Sequence, residues 1–368
     1  MWVICYSWYR KEREVMSYSR KERVENYLKT VNFQNPQWIP CKVSIMPATW
    51  RKYRKDLEEI VLRHPKIFPD YRKGSIDFDS IHDPGYKLGG FTDSWGCVWD
   101  NIAEGLEGIV VKSPLERWEY LDTYIPPDPI FQGERGPQVD WEYMRNRFEE
   151  LQREGDLPRA GLPHGFMYMR LYYLRGFENF MIDIATDDSR LERLISMVLD
   201  YNLKLISKWI EVGAKFMYFG DDLGTQKSLA IHPEKWRKYL KPCYKKMFEL
   251  CRKNGVYVYF HTDGHILEII DDLIECGINI INPQIRANTL EGIAKNIKGK
   301  VCIDLDLDRQ LFPFATPKEI KDHIEEAASR LKDKRGGLML SAECEPDVPL
   351  ENIEAICTTL EEIGGPSI

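Results

Sequence analysis

Val256-Tyr257-Val258-Tyr259-Phe260-His261-Thr262-Asp263-Gly264 is an apolar run that stops abruptly on a histidine and a carboxylate, the pattern of a buried strand whose tip carries chemistry. Beyond it Ile266, Ile269, Ile270, Leu273 and Ile274 recur at helical spacing and Gly277 supplies a helix stop. Ile278-Asn279-Ile280-Ile281-Asn282-Pro283-Gln284 then opens a second apolar run. Strand, helix and strand in that order make one βαβ unit.

The same alternation extends outward on both sides. Upstream, a charged helix is expected over residues 141–154, an apolar aromatic stretch over 161–173 and a further helix over 177–185. An amphipathic segment, residues 190–213, ends on a glycine, and Phe216-Met217-Tyr218-Phe219-Gly220 reads as a strand that stops on Asp221-Asp222. Helices are expected over 233–254, with Pro242 predicting a kink or break. Downstream, residues 301–305 read as a strand ending near Asp304 and Asp306, and Thr316-Pro317-Lys318-Glu319 is a capping box for a helix that stops at Gly336-Gly337. A last strand at 338–341 runs into Glu343-Cys344, and a helix covers 350–363.

Near the start, residues 19–30 read as a polar helix and 39–45 as a strand. Between residues 50 and 136 Gly, Pro, Trp and Asp become frequent and periodicity weakens, so loops, short strands and site residues are expected there. The aromatic, basic residues 1–18 continue no later pattern and form an expected extension ahead of a domain over 19–368, with Met16 an alternative start.

Strands alternating with helices, polar residues repeatedly at the strand tip, predict a parallel α/β fold. A doubly wound sheet would gather those tips along one edge. A length of 368 residues suits a single (β/α)8 barrel of the TIM type, in which the strands' C-terminal ends converge on one mouth.

Composition narrows the function classes. A net charge of -7 and the lack of long Lys/Arg runs argue against nucleic acid. Trp2 to Tyr9 is too short to span a membrane and is followed by charges. Nine cysteines without regular spacing fit reduced thiols in a cytoplasmic protein.

The candidate site residues at strand tips are Asp221, Asp222, His261, Asp263, Asn282, Gln284, Asp304, Asp306, Glu343 and Cys344, with Thr225 and Gln226 extending one loop. His261 and Asp263, two apart, point the same way if the strand continues through them. With the distant Cys344 they would suit a zinc ion with one open position. The alternative is a hydrogen-bonded His and Asp at a strand end beside an inert thiol. Asp221 and Asp222 either both serve the site, or one faces the mouth while the other caps a segment. His265 opens a helix and reads as structural.

Read together, Ser19-Arg20-Lys21-Glu22-Arg23, Asp93-Ser94-Trp95-Gly96, Leu174-Arg175-Gly176-Phe177-Glu178, Gly220-Asp221-Asp222-Leu223-Gly224-Thr225-Gln226, His261-Thr262-Asp263-Gly264, Asn282-Pro283-Gln284 and Pro349-Leu350-Glu351-Asn352 resemble the uroporphyrinogen decarboxylase superfamily. That superfamily holds tetrapyrrole decarboxylases and cobamide-dependent methyltransferases on one barrel. The decarboxylases' Arg-Gln-Ala-Gly-Arg-Tyr is replaced here by Ile45-Met46-Pro47-Ala48-Thr49-Trp50-Arg51-Lys52-Tyr53, and their late Gly-His-Gly by Ala342-Glu343-Cys344-Glu345. Without that arginine pair a substrate with many carboxylates loses its bidentate partners.

The methyltransferase branch resembles the chain better. It carries a zinc-binding Cys in the last segment and a histidine matching His261, and its usual His-x-Cys-Gly becomes His-x-Asp-Gly. The resemblance implies methyl transfer between a small methylated substrate or thiol and a corrinoid carried by a partner protein. It implies zinc on His261, Asp263 and Cys344, with Asp93, Tyr172 and Asp222 as catalytic groups and Gln226, Asn282, Gln284 and Glu343 binding substrate. Association into a homodimer stays open. The alternatives are a metal-free decarboxylase, with Asp93 on pyrrole-like nitrogens, and a non-catalytic small-molecule-binding barrel.

Overall fold

Alternation of large residues with both faces buried is what a strand inside a parallel sheet requires, and the computed structural model, which describes residues 18–81 and 83–368, shows it in strand after strand. In chain order the strands are β1 (Pro40–Ile45), β2 (Gly89–Thr92), β3 (Val98–Asn101), β4 (Ile109–Lys112), β5 (Arg159–Gly161), β6 (Phe216–Gly220), β7 (Tyr257–Thr262), β8 (Ile280–Pro283), β9 (Cys302–Asp306), β10 (Leu338–Cys344) and β11 (Gly365–Pro366). Eight of them form one sheet in the order β11-β1-β10-β9-β8-β7-β6-β5, and every pairing in it is parallel.

The sheet curls in the manner of a TIM barrel. Lys42 on β1 reaches the hydroxyl of Tyr259 on β7 at 3.2 Å and the carboxylate of Asp304 on β9 at 2.8 Å. β1 and β7 stand four places apart in the sheet order, and such strands approach each other only across a curved interior. On the inner face Phe216, Tyr259, Ile280, Cys302 and Met339 cluster with Val24, Tyr27 and Val31 of the helix Arg20–Val31, so this helix plugs the end where the strands begin. The opposite residues, among them Phe219, Phe260, Ile281, Leu305, Leu340 and Cys344, belong to the larger cluster between sheet and outer helices.

Local signals act as expected. Ser19 and Glu22 cap the first helix reciprocally, as do Thr316 and Glu319 for Pro317–Leu331. The chain breaks between Pro233–Tyr239 and Lys241–Lys253, with Pro242 in the first turn of the second helix, where its missing N–H costs nothing. Gly277, at φ +108°, stops Ile270–Cys276.

Residues 46–158 differ from a regular αβ repeat. They hold the helix Pro47–Arg63, not expected from sequence and bent at Arg54 (φ 49°, ψ -122°), and the antiparallel ribbon β2-β3-β4. The eighth strand of the parallel sheet is instead the two-residue β11 beside β1. Of the expected N-terminal extension only Tyr18 lies among the described residues, its ring tilted against Trp38 with centroids 4.2 Å apart. No described helix is long and apolar enough to cross a membrane.

Candidate functional site

The inner-face alternation turns from apolar to polar toward the strands' C-terminal ends. A cavity of about 460 Å³ opens there, lined by Lys42, Ser44, Met46, Tyr86, Leu106, Glu107, His164, Tyr218, Asp222, His261, Asp263, Asn282, Asp306, Arg309, Ser341, Glu343 and Glu345.

Its chemical focus is His164, Asp222 and His261, whose ligating atoms lie within 4.8 Å of one another. His164 Nε2 stands 3.2 Å from Asp222 Oδ2. The imidazole lies against the end of β6, where a Cβ on Gly220 would fall 2.6 Å from His164 Nδ1; glycine at that position makes room for the ring. Asp222 is aimed by its other oxygen, which accepts the Asp263 amide at 3.0 Å.

His261 is oriented by Asn282, opposite it on β8. The Asn282 amide nitrogen donates to the Asp304 carbonyl at 2.5 Å, which turns the amide oxygen toward His261 Nδ1 at 2.6 Å. Nδ1 is therefore the protonated donor, and Nε2 faces the cavity with Asp263 Oδ1 at 3.3 Å. Two imidazoles and one carboxylate, two of them held by a second polar group, form a donor set that can hold a divalent cation. Burial opposes charge on His261, but contact with Asp263 and the fields of Asp222 and Asp306 outweigh it and push the imidazole up to about 9. Burial likewise raises Asp222, and the hydrogen bond and charge of His164 overcome this and hold it down at about 2.

Two fixed cations face the cavity and both are engaged. Lys42 is paired with Asp304 at 2.8 Å; burial works against its charge, and Asp304 more than offsets that. Arg309 reaches Glu343 at 2.6 Å, Asp263 at 2.8 Å and Asp306 at 3.0 Å. Burial pushes Asp306 up to about 7 despite the nearby Arg309. A second cavity of about 510 Å³ adjoins the first and shares Asp263, Asp306, Arg309 and Glu345 with it.

Of the ten residues that the resemblance assigns to the site, Asp222, His261, Asp263, Asn282 and Glu343 line the first cavity and Gln226 and Gln284 the second, and the strand-tip candidate Asp306 lines both. Gln284 also accepts the Gly264 amide at 2.9 Å. The other three are elsewhere. Cys344 follows inward-facing Glu343 by one residue, so its side chain enters the layer between sheet and helices, where it is fully buried. Burial pushes its thiol far up, and the grouping of His261, Asp263 and Cys344 does not form. Asp93 is buried against Arg170 at 2.9 Å and accepts from Trp99 and from the Cys97 amide, tying the ribbon to the helix Tyr168–Arg175. Tyr172 packs among Tyr168, Tyr173 and Phe177 and lines neither cavity.

The adjacent aspartates divide their work. Asp222 faces the mouth, while buried Asp221 accepts the amides of Met167, Tyr168 and Met169 and the hydroxyl of Tyr244. His265 is bonded to the Ala287 carbonyl at 2.9 Å. His164, Lys42 and Arg309 were not anticipated. The signal for His164 was the one read at His261, a histidine just past a strand, but β5 has three residues and shows no alternation.

Comparison with known proteins adds the following. The family model for uroporphyrinogen decarboxylase (URO-D) matches residues 154–363, more than half of the chain. A methyltransferase from Methanosarcina mazei has a similar fold: TM-score 0.64, 16% identity, 94% of this chain and 99% of that one covered. A B12-independent methionine synthase from Shewanella sp. W3-18-1, in complex with selenomethionine, superimposes with TM-score 0.39 at 12% identity over 62% of this chain and 66% of that one. No curated protein matches the sequence.

Proposed function

This chain belongs to the uroporphyrinogen decarboxylase family, and from that premise we propose that it is a cobamide-dependent methyltransferase, moving a methyl group between a small methylated substrate or thiol and a corrinoid held by a separate protein. The observation that carries the reading is the convergence of His164, Asp222 and His261 at the barrel mouth. Three N and O donors suit a catalytic zinc with room for a substrate atom. Bound there, zinc supplies a Lewis acid that stabilises negative charge on the heteroatom giving or taking the methyl group. The cobalt chemistry belongs to the corrinoid.

The chain's own residues aim and shield. Asn282 holds the His261 ring and its tautomer, the Asp263 amide holds Asp222, and Gly220 admits the ring of His164. The mouth favours this reading over decarboxylation of a substrate with many carboxylates. Its lining carries Glu107, Asp222, Asp263, Asp306, Glu343 and Glu345, while Lys42 and Arg309 are already paired. A polyanion would meet like charge with no unpaired Lys or Arg among the described residues of the lining. The fold shared with a protein named a methyltransferase fits the same activity. The eight described cysteines, all unpaired and buried, fit a cytoplasmic setting.

The test is elemental analysis of protein purified without added metal, followed by methyl transfer from a panel of methyl ethers, methylamines and thioethers to free cob(I)alamin. About one zinc per chain is expected, lost in His164→Ala and His261→Ala. A folded protein that takes up no metal refutes the reading.

A further inference from the structure

Arg309 lies just past β9 and joins carboxylates from three strand ends. Its Nη1 donates to Glu343 Oε1 at 2.6 Å, and its Nη2 stands 2.8 Å from Asp263 Oδ1 and 3.0 Å from Asp306 Oδ2. A guanidinium keeps its charge at any working pH, and its planar fork suits several carboxylates at once.

The oxygen of Asp263 that Arg309 holds is the one 3.3 Å from His261 Nε2, the ring nitrogen left free for a metal by the Asn282 bond. Asp263 is thus a fourth donor in contact with the group formed by His164, Asp222 and His261. Its main chain is pinned, because the Asp263 amide donates to Asp222 Oδ1 at 3.0 Å. Rotation of the side chain alone would decide whether its carboxylate faces the guanidinium or the ion. A fourth protein donor gives a closed, structural type of site, whereas three leave a position for substrate.

We infer that Arg309 is a positioning residue that withholds Asp263 from the metal and so keeps one coordination position open. This rests on the reading that the ion sits on His164, Asp222 and His261. Glu343 on Nη1 and Asp306 on Nη2 also hold the guanidinium, so it does not swing away with Asp263.

Cobalt-substituted full-length protein, titrated with imidazole and followed by its visible absorption, tests the inference with no turnover involved. Imidazole is neutral, so the charge lost with Arg309 does not itself change the probe's attraction. The parent protein binds imidazole saturably. Arg309→Met weakens that binding by roughly tenfold or more, as expected when an outer residue that sets a ligand's position is removed. Adding Asp263→Asn to Arg309→Met restores it. Imidazole binding unchanged in Arg309→Met, or no recovery in the double variant, overturns the inference and leaves the metal site standing. A parent protein that binds no cobalt overturns both.

Discussion

Gly224 and Gly264 meet backbone to backbone where the loops after β6 and β7 cross, and a single methyl group there should open the mouth. The crossing is stitched by the Gly224 amide to the Asp263 carbonyl at 3.2 Å and the His265 amide to the Thr225 carbonyl at 2.8 Å. A Cβ on Gly224 would lie 2.6 Å from the Gly264 carbonyl carbon, and one on Gly264 would lie 2.6 Å from the Gly224 Cα. Relaxed carbon contacts are about 3.5–4.0 Å, so the loops must part by roughly 1 Å. The obstructing atoms are main chain, and no side chain can rotate aside. Three substitutions separate the causes. Gly224 has no positive φ, so Gly224→Ala reports contact alone, about 1–3 kcal/mol. Gly255 has φ +69° with nothing within 4 Å, so Gly255→Ala reports backbone strain alone, about 1–2 kcal/mol. Gly264, at φ +84°, suffers both, and Gly264→Ala should cost roughly the sum, about 2–5 kcal/mol. Urea unfolding measures these. Asp222 and His261 stand beside the crossing, so Gly224→Ala and Gly264→Ala should also weaken metal uptake by about 10–100-fold while Gly255→Ala leaves it alone. A Gly224→Ala protein with parental stability and uptake, or a Gly255→Ala protein as damaged as Gly264→Ala, refutes the reasoning.

Two further predictions lie outside the mouth. His64, buried at the end of the helix Pro47–Arg63, has Nδ1 3.0 Å from Glu361 and Nε2 3.1 Å from Glu354. Burial opposes its charge, but the two carboxylates outweigh it and raise its pKa above the ordinary value. Arg63 on Glu354 and the Lys66 amide on Glu361 stay as they are through neutrality. A folded pKa above the unfolded value of about 6.5 makes the contribution of His64 complete below that value and lost as pH rises through the folded pKa. Urea midpoints should therefore fall with pH more steeply in the parent than in His64→Gln, and parallel profiles would contradict the clamp. Cys344→Ala, in the layer facing the helices, should cost about 1 kcal/mol of stability and leave metal content unchanged; loss of metal would show that the thiol faces the mouth after all.

How much of this was legible in the sequence depended on whether one face of an element differed from the other. In β7 Tyr257, Tyr259 and His261 alternate with Val258, Phe260 and Thr262, which marks the side of His261, while the barrel followed from strands alternating with helices along the chain. In β10, Leu338-Met339-Leu340-Ser341-Ala342-Glu343-Cys344, both faces are buried and apolar until Ser341 and Glu343, so little marks the polar side. A slip of one residue turns every side chain to the other face, and that is the distance between Glu343 in the mouth and Cys344 outside it. The helix Pro47–Arg63 was legible and missed, since its buried apolar residues Trp50, Leu57, Ile60 and Val61 stand at helical spacing. Asp93 and Arg170 are 77 residues apart, and such a pair leaves no local trace.

Arg309 is the instructive omission. Its partners Asp263 and Glu343 are 46 and 34 residues away, so no spacing rule finds them. Yet the aspartate standing where the resemblance leads one to expect a cysteine is bound by that arginine at 2.8 Å. A thiolate placed two residues after His261 would bind a metal by itself, whereas a carboxylate there can be claimed by a guanidinium. The substitution at position 263 and the cation at 309 therefore act as one device, with His164 supplying the donor that Asp263 does not.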